Sequence, residues 1–270
     1  MAIFYLWISL FAFNQGLLPS VMANPPQVNV TEESLTRQAT FIFKGTVVKL
    51  NATTMSAVRA SESTAVVRID EVIDAPGATP DLPGKEITVQ LREPGLIRAG
   101  QQMFFFTKGW LLGNSMAVIE VGRVAATVDV QRVREQIKST QQKMADEKLQ
   151  DALATTEAVI VGRVINVRPS EIPHIGSEHD PDWYQATILV ESVLKGQLPG
   201  REVTLLFPHS DDVMWRDSPK FTEGEQGIWL LHRNQARLPG IENRYTVLNP
   251  LDFRSREELN RVQRLLKAVQ

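Results

Sequence analysis

Leu82 to Leu91 reads LPGKEITVQL, and Leu198 to Phe207 reads LPGREVTLLF. The near-identity of these two stretches predicts a duplicated unit, and their surroundings match as well. Upstream of each lies a β-branched, apolar segment, Thr64 to Ile73 in one half and Ala186 to Leu194 in the other, which reads as a strand. Further upstream, Phe41 to Leu50 aligns with Ala158 to Val167, and Gly45 and Gly162 fall at the same place. Glycine inside a strand marks a bulge or sharp bend, as closing a small barrel demands. Downstream, Arg98 to Phe106 corresponds to Thr222 to Leu230, a glycine turn opening into a continuous apolar strand. A fifth strand is expected in each half, near Ala117 to Val124 and near Tyr245 to Leu251.

Helices are expected around these units. Asp129 to Leu153 lacks Gly and Pro and spaces Val133, Ile137, Met144 and Leu149 in helical register. The segment is too short in heptads for a dimerising coiled coil, so packing on its own barrel is expected. Ser255-Arg256-Glu257-Glu258 reads as a capping box, followed by an apolar stripe of Leu259, Val262, Leu265, Leu266 and Val269 that should dock on the second unit. Glu32 to Gln38 is a weaker helix candidate leading the first unit. The expected organisation is residues 1–23 as a signal peptide, 24–128 as the first barrel, 129–149 as a connecting helix, and 150–270 as the second barrel with its C-terminal helix.

The first charged side chain is Glu32, and the apolar run Ile3 to Phe13 is too short to cross a hydrocarbon core of about 30 Å. It suits the apolar region of an export signal, with Val21 and Ala23 as the small residues before a cut at Asn24, although no Lys or Arg precedes it. A periplasmic or secreted protein without a stable membrane anchor is expected. The chain of 270 residues carries no cysteine, which excludes disulfides, thiolate metal sites and cysteine catalysis. A formal charge of −2 leaves no overall attraction to nucleic acid or acidic lipid. Asn29-Val30-Thr31 and Asn51-Ala52-Thr53 fit the short glycosylation pattern, which recurs by chance.

An apolar strand with an embedded glycine, a long loop, a strand ending in Val193-Leu194-Lys195-Gly196, an LPG turn, a short strand and a Gly-led apolar strand together resemble the bacterial relatives of the netrin-like and tissue-inhibitor-of-metalloproteinases group. The resemblance spans two copies over nearly all of the chain after Asn24 and rests on strand pattern, not on catalytic residues. It implies a mainly β protein of two tandem five-stranded OB-type barrels with flanking α-helices. Animal inhibitors of that group chelate a protease zinc through an N-terminal Cys; here the expected mature start is Asn24-Pro25-Pro26, so that chemistry does not carry over. OB barrels bind oligonucleotides, oligosaccharides or proteins, so the fold selects none of them.

The halves differ most in the loops after their first and third strands, which a meander places at one end of the barrel. In the second half these loops carry His174, His179, Asp180, Asp182 and Trp183, then His209, Asp211, Asp212 and Trp215, so three of the four histidines meet on one rim. Imidazole and carboxylate suit a divalent metal, for which His174, His179, His209 and Asp211 are the candidate ligands; Trp183, Trp215, Asp182 and Asp212 suit a carbohydrate or other ligand. The same residues also make an ordinary solvated loop. No GxSxG, HExxH or phosphate-cradling glycine loop is present, and no catalytic residue is nominated. Phe104-Phe105-Phe106 fits an apolar strand covered by a helix better than a base-stacking platform, and no nucleic-acid partner is expected. Trp110-Leu111-Leu112 beside Gly113-Asn114 reads as a hairpin end folded on its barrel, and His232 as structural. The expected function is an exported, non-enzymatic binding or inhibitory module recognising another envelope or extracellular protein. No cofactor is expected; metal or carbohydrate binding at the His/Asp loops, with or without hydrolysis, is the alternative.

Overall fold

The structure is a computed structural model that describes residues 31–77, 81–112, 115–172, 179–233 and 244–269. The proposed signal segment, the turn at Gly113-Asn114, the side chains of Trp110, Leu111 and Leu112, and His174 lie outside that description.

In chain order the elements are α1 (Glu32–Gln38), β1 (Phe41–Leu50), β2 (Thr64–Asp74), β3 (Glu86–Gln90), β4 (Gln102–Leu112), β5 (Met116–Ala125) and α2 (Val130–Thr155). They continue as β6 (Ala158–Pro169), β7 (Asp182–Lys195), β8 (Glu202–His209), β9 (Gln226–Arg233), β10 (Tyr245–Thr246), β11 (Phe253–Ser255) and α3 (Leu259–Val269). The first five strands close a barrel in the order β1-β2-β3-β5-β4, with β3 and β5 parallel and the other neighbours antiparallel. The second half repeats this connectivity: β6 pairs with β7 and β9, β7 with β8, and β10 closes the ring by pairing parallel with β8 and antiparallel with β9. The two tandem barrels expected from the LPG repeat are therefore present.

The agreement extends to single hydrogen bonds. The β1–β2 ladder shifts register at Ile42/Phe43, Lys44/Gly45 and Val47/Lys49, and β6–β7 shifts at Val159/Ile160, Val161/Gly162 and Val164/Asn166. These are bulges at matching positions, and they bend the first strand of each barrel so that it pairs on both sides. The Gly100 N–H donates to the Val47 carbonyl at 2.8 Å, and Gly224 donates to Val164 at 2.9 Å. Both glycines sit at positive φ, 80° and 88°, where a side chain would be strained. The LPG turns are less alike, because Gly84 has φ 83° whereas Gly200 is not in the left-handed region.

Strand alternation separates an inner from an outer core. In β4, Phe105 points into the barrel with Phe43 and Val67, while Phe104 and Phe106 point outward under helix residues Leu35, Val133 and Ile137. All three phenylalanines are fully buried, as expected for a helix-covered strand, and burying each contributes roughly 1.5–3 kcal/mol. In the second barrel Trp229 and Leu231 point inward, and Ile228 and Leu230 pack against Val262, Leu265 and Leu266 of α3.

Helix α2 belongs to both barrels. Its first half gives Val133 and Ile137 to the first, and its last turns give Leu149 and Leu153 to the second. It runs past the expected boundary at residue 149 to Thr155, where the Lys195 ammonium donates to the Leu153 and Ala154 carbonyls at 2.6 and 3.0 Å. A cation there satisfies orphan carbonyls and complements the helix dipole. Asp129 caps the other end by accepting from the Gln131 N–H.

Two local expectations change. The fifth strand of the second barrel is split by a 3₁₀ turn at Pro250–Asp252, since Pro250 cannot continue the ladder. The expected capping box does not form: the Ser255 side chain makes no cap bond, and the Glu258 carboxylate is engaged by Arg254 at 2.6 Å and Arg261 at 2.7 Å. Among the described residues no helix is long and apolar enough to cross a membrane.

Candidate binding rim of the second barrel

The register of β7 against β8 places Asp182 opposite His209, Trp183 opposite Pro208 and Tyr184 opposite Phe207. Alternation then sends Tyr184 toward the barrel axis and Trp183 to the outer face. The Tyr184 ring stacks on His209 at 4.5 Å, closing the mouth above Phe207 and Phe221. Trp183, only 7% exposed, packs on Leu206 and meets the Trp215 ring edge-on at 5.8 Å. It therefore anchors the loops and offers no open face for a sugar ring.

The two loops of this rim are tied together. The Trp215 indole N–H donates to the His179 carbonyl at 2.7 Å, and His179 Nδ1 lies 3.1 Å from Asp212 Oδ2. Asp212 Oδ1 accepts the Met214 N–H at 2.8 Å, and that bond, together with His179, holds the Asp212 carboxyl below the usual range. The Lys220 ammonium donates to the carbonyls of Trp215, Arg216 and Ser218, which fixes the turn from the other side. Between the loops opens a cleft of ≈ 400 Å³ lined by Asp180, Asp182, His209, Ser210, Asp211 and Lys220. Shortly after Asp211 in the same loop, Val213 and Met214 are 73% and 61% exposed.

The structure thus brings His179, Asp182, Trp183, His209, Asp211, Asp212 and Trp215 to one end of the barrel. It divides them into an outer clasp (His179, Asp212, Trp183, Trp215) and an open cleft (Asp182, His209, Asp211). Among the described residues no three His, Asp or Glu side chains converge as a metal-holding group. Sequence reasoning missed Tyr184, Lys220 and the Val213–Met214 tip. The first two carried no signal without the register, whereas two aliphatic residues inside a polar loop were visible. His232 is structural as expected, its Nε2 lying 3.3 Å from the buried Asp252, which also accepts the Leu248 and Asn249 N–H groups.

The first barrel treats its corresponding loop differently. Thr53 and Thr54 fold it down onto the buried Thr88 hydroxyl, and a smaller apolar groove of ≈ 270 Å³ lies alongside, lined by Val58, Gly109, Ala117 and Ile119. The chain matches no protein-family model and no curated protein.

Proposed function

We propose that this chain is an exported, non-enzymatic binding protein built of two netrin-like modules, and that the rim of its second barrel docks on another protein of the cell envelope or exterior. The observation that carries this reading is the exposed Val213–Met214 pair, on a loop braced by Asp212, Trp215 and Lys220. Aliphatic side chains held out to water gain roughly 25 cal/mol for each Å² that a partner covers. A loop already fixed loses little conformational entropy on docking, so more of that gain appears as affinity. Export is supported by the apolar run Ile3 to Phe13 and the Val21–Ala23 cut site.

The test is site-specific photo-crosslinking in the native host, with a benzophenone amino acid at position 213 and, as control, at Lys138 on the exposed side of α2. A discrete adduct at 213, absent at 138 and lost in Met214→Asp, supports the reading. The same smear or the same silence at both positions refutes it. Intact-mass measurement of the exported chain should show a start at Asn24.

A further inference from the structure

We propose that the first barrel carries a docking point of its own in the loop between β3 and β4, where Leu96 and Arg98 receive an acidic, aliphatic segment of another protein. The site is built from different residues than the rim of the second barrel. Exposed aliphatic side chains scattered singly over a surface are ordinary. Here they are not scattered. Among the described residues the three most exposed large hydrophobic side chains are Val213 at 73%, Leu96 at 71% and Met214 at 61%, and the next, Ile119, is at 46%. All three fall in the loop that follows the third strand of one barrel or the other.

The loop of the first barrel is held on both sides of Leu96. Leu91 and Ile97 are buried in the barrel core. Between them the Arg92 N–H donates to Glu120 Oε2 at 3.1 Å, and the Arg92 guanidinium donates to the Val121 carbonyl at 3.0 Å. Glu120 and Arg123, both buried and joined at 2.7 Å, extend this brace, because the Arg123 guanidinium also donates to the Glu93 carbonyl at 2.7 Å. Pro94–Leu96 then form a short 3₁₀ turn whose last side chain is held out to water. A side chain presented on a loop already fixed costs little conformational entropy on docking.

Arg98 supplies the charge. A groove of ≈ 550 Å³ is lined by Gly95, Leu96, Arg98, Ala99 and Gln101, and of these five Arg98 alone is charged. Its guanidinium pairs with no carboxylate among the described residues. Nor does the turn that carries it need an arginine. The Arg98 N–H donates to Gln101 Oε1 at 3.1 Å and the Gln101 N–H returns to the Arg98 carbonyl at 3.2 Å; Thr222 and Glu225 make the same two bonds, at 3.1 and 3.2 Å, in the second barrel. Threonine serves there equally well, so the guanidinium stands beside an exposed leucine without a part in closing the turn. Its planar fork of N–H donors matches a carboxylate, and the complement of the pair is a carboxylate next to an aliphatic side chain.

The probes are two fluorescein-labelled hexapeptides, alternating leucine–glutamate and alternating leucine–arginine, titrated into the full chain by fluorescence polarisation. The glutamate peptide should bind the tighter of the two. Arg98→Gln should weaken it about fivefold and Leu96→Ser roughly tenfold or more. Arg98→Glu should reverse the preference between the peptides, whereas Met214→Asp should leave binding of the glutamate peptide unchanged. Leu96 and Arg98 are both exposed, so their variants keep the fold, which an unchanged melting temperature verifies. Equal binding of the two peptides by the parent chain, or indifference to Arg98→Glu, overturns the inference. So does an effect of Met214→Asp as large as that of Leu96→Ser, which would place the peptide on the second barrel. The position-213 adduct reports on that second rim alone, so the docking reading and this site fail separately.

Discussion

Replacing Gly162 by Ala should destabilise the protein more than any other single methyl added to its strands' first bends, and the structure gives the size. A Cβ at Gly162 would lie 2.5 Å from the Leu189 carbonyl oxygen and 2.9 Å from Ile188 Cγ2. Non-bonded carbon contacts are favourable near 3.5–4.0 Å, so something must retreat by about an ångström. The nearest atom is a backbone oxygen of β7, in a strand already paired on both sides, and it cannot move without breaking a ladder. Overpacking of this kind costs about 2–3 kcal/mol. For a chain this size each kcal/mol shifts the melting temperature by about 2–4 °C, so a fall of roughly 4–12 °C is expected. Gly45→Ala, whose Cβ would meet Val67 Cγ1 at 2.7 Å and the Arg68 oxygen at 2.9 Å, should behave alike but somewhat more mildly, since a side-chain methyl yields more easily. Differential scanning calorimetry at neutral pH is the assay. A Gly162→Ala melting temperature within about 2 °C of the parent would show that the bulge does not need glycine and would refute the reasoning.

The two LPG glycines should part company: Gly84→Ala, forced to φ 83°, should cost about 1 kcal/mol, while Gly200→Ala, with nothing within 4 Å of the new methyl, should be neutral or stabilising by about 0.4–1 kcal/mol. Asp252→Ala orphans the Leu248 and Asn249 N–H groups and should lower stability by roughly 2–4 kcal/mol in urea melts, with Asp252→Asn recovering part of it. The Glu33 carboxyl is held low by Lys143 and Arg37, and the Glu147 carboxyl by Arg37, so their contribution is complete above the unfolded pKa near 4.3 and lost as pH falls through the folded values. Circular-dichroism melts should therefore be flat from pH 7 to about 5 and decline below about 4, with a shallower decline in Arg37→Ala.

How much of this was legible in the residues depended on whether a position faces packing on both sides. Gly45 and Gly162, the Phe104–Phe106 run and the α3 stripe all answer to a buried neighbour, and spacing alone revealed them. The convergence of two loops on one rim also followed, because strand direction is fixed by counting reversals. The share of α2 between two barrels did not follow. Its apolar residues Val133 and Ile137 form one patch and Leu149 and Leu153 another, and a periodicity reading does not reveal that the patches face different partners. Nor did the split of the fifth strand, since two residues of ladder, Tyr245 and Thr246, are too few to show a period of two. Which of the neighbours Trp183 and Tyr184 faces inward required the register itself.

The same distinction explains why chemistry is best sought where the two copies disagree. Positions at which both barrels match are those where the chain must bend, as at Gly45 and Gly162, or accept a fixed hydrogen bond, as at Gly100 and Gly224. At the rim, water on one side removes that constraint, and any side chain that keeps the loop closed is compatible with the barrel beneath it. The first barrel closes its loop by hydroxyl contacts from Thr53 and Thr54 to Thr88. The second reaches the same end with an indole, an imidazole and a carboxylate, and leaves the Val213 and Met214 side chains facing water. The Trp215–His179–Asp212 clasp and the Lys220 bonds to the turn hold the loop. The exposed Val213–Met214 pair is not part of that clasp, and it is there that the proposed docking on a partner resides.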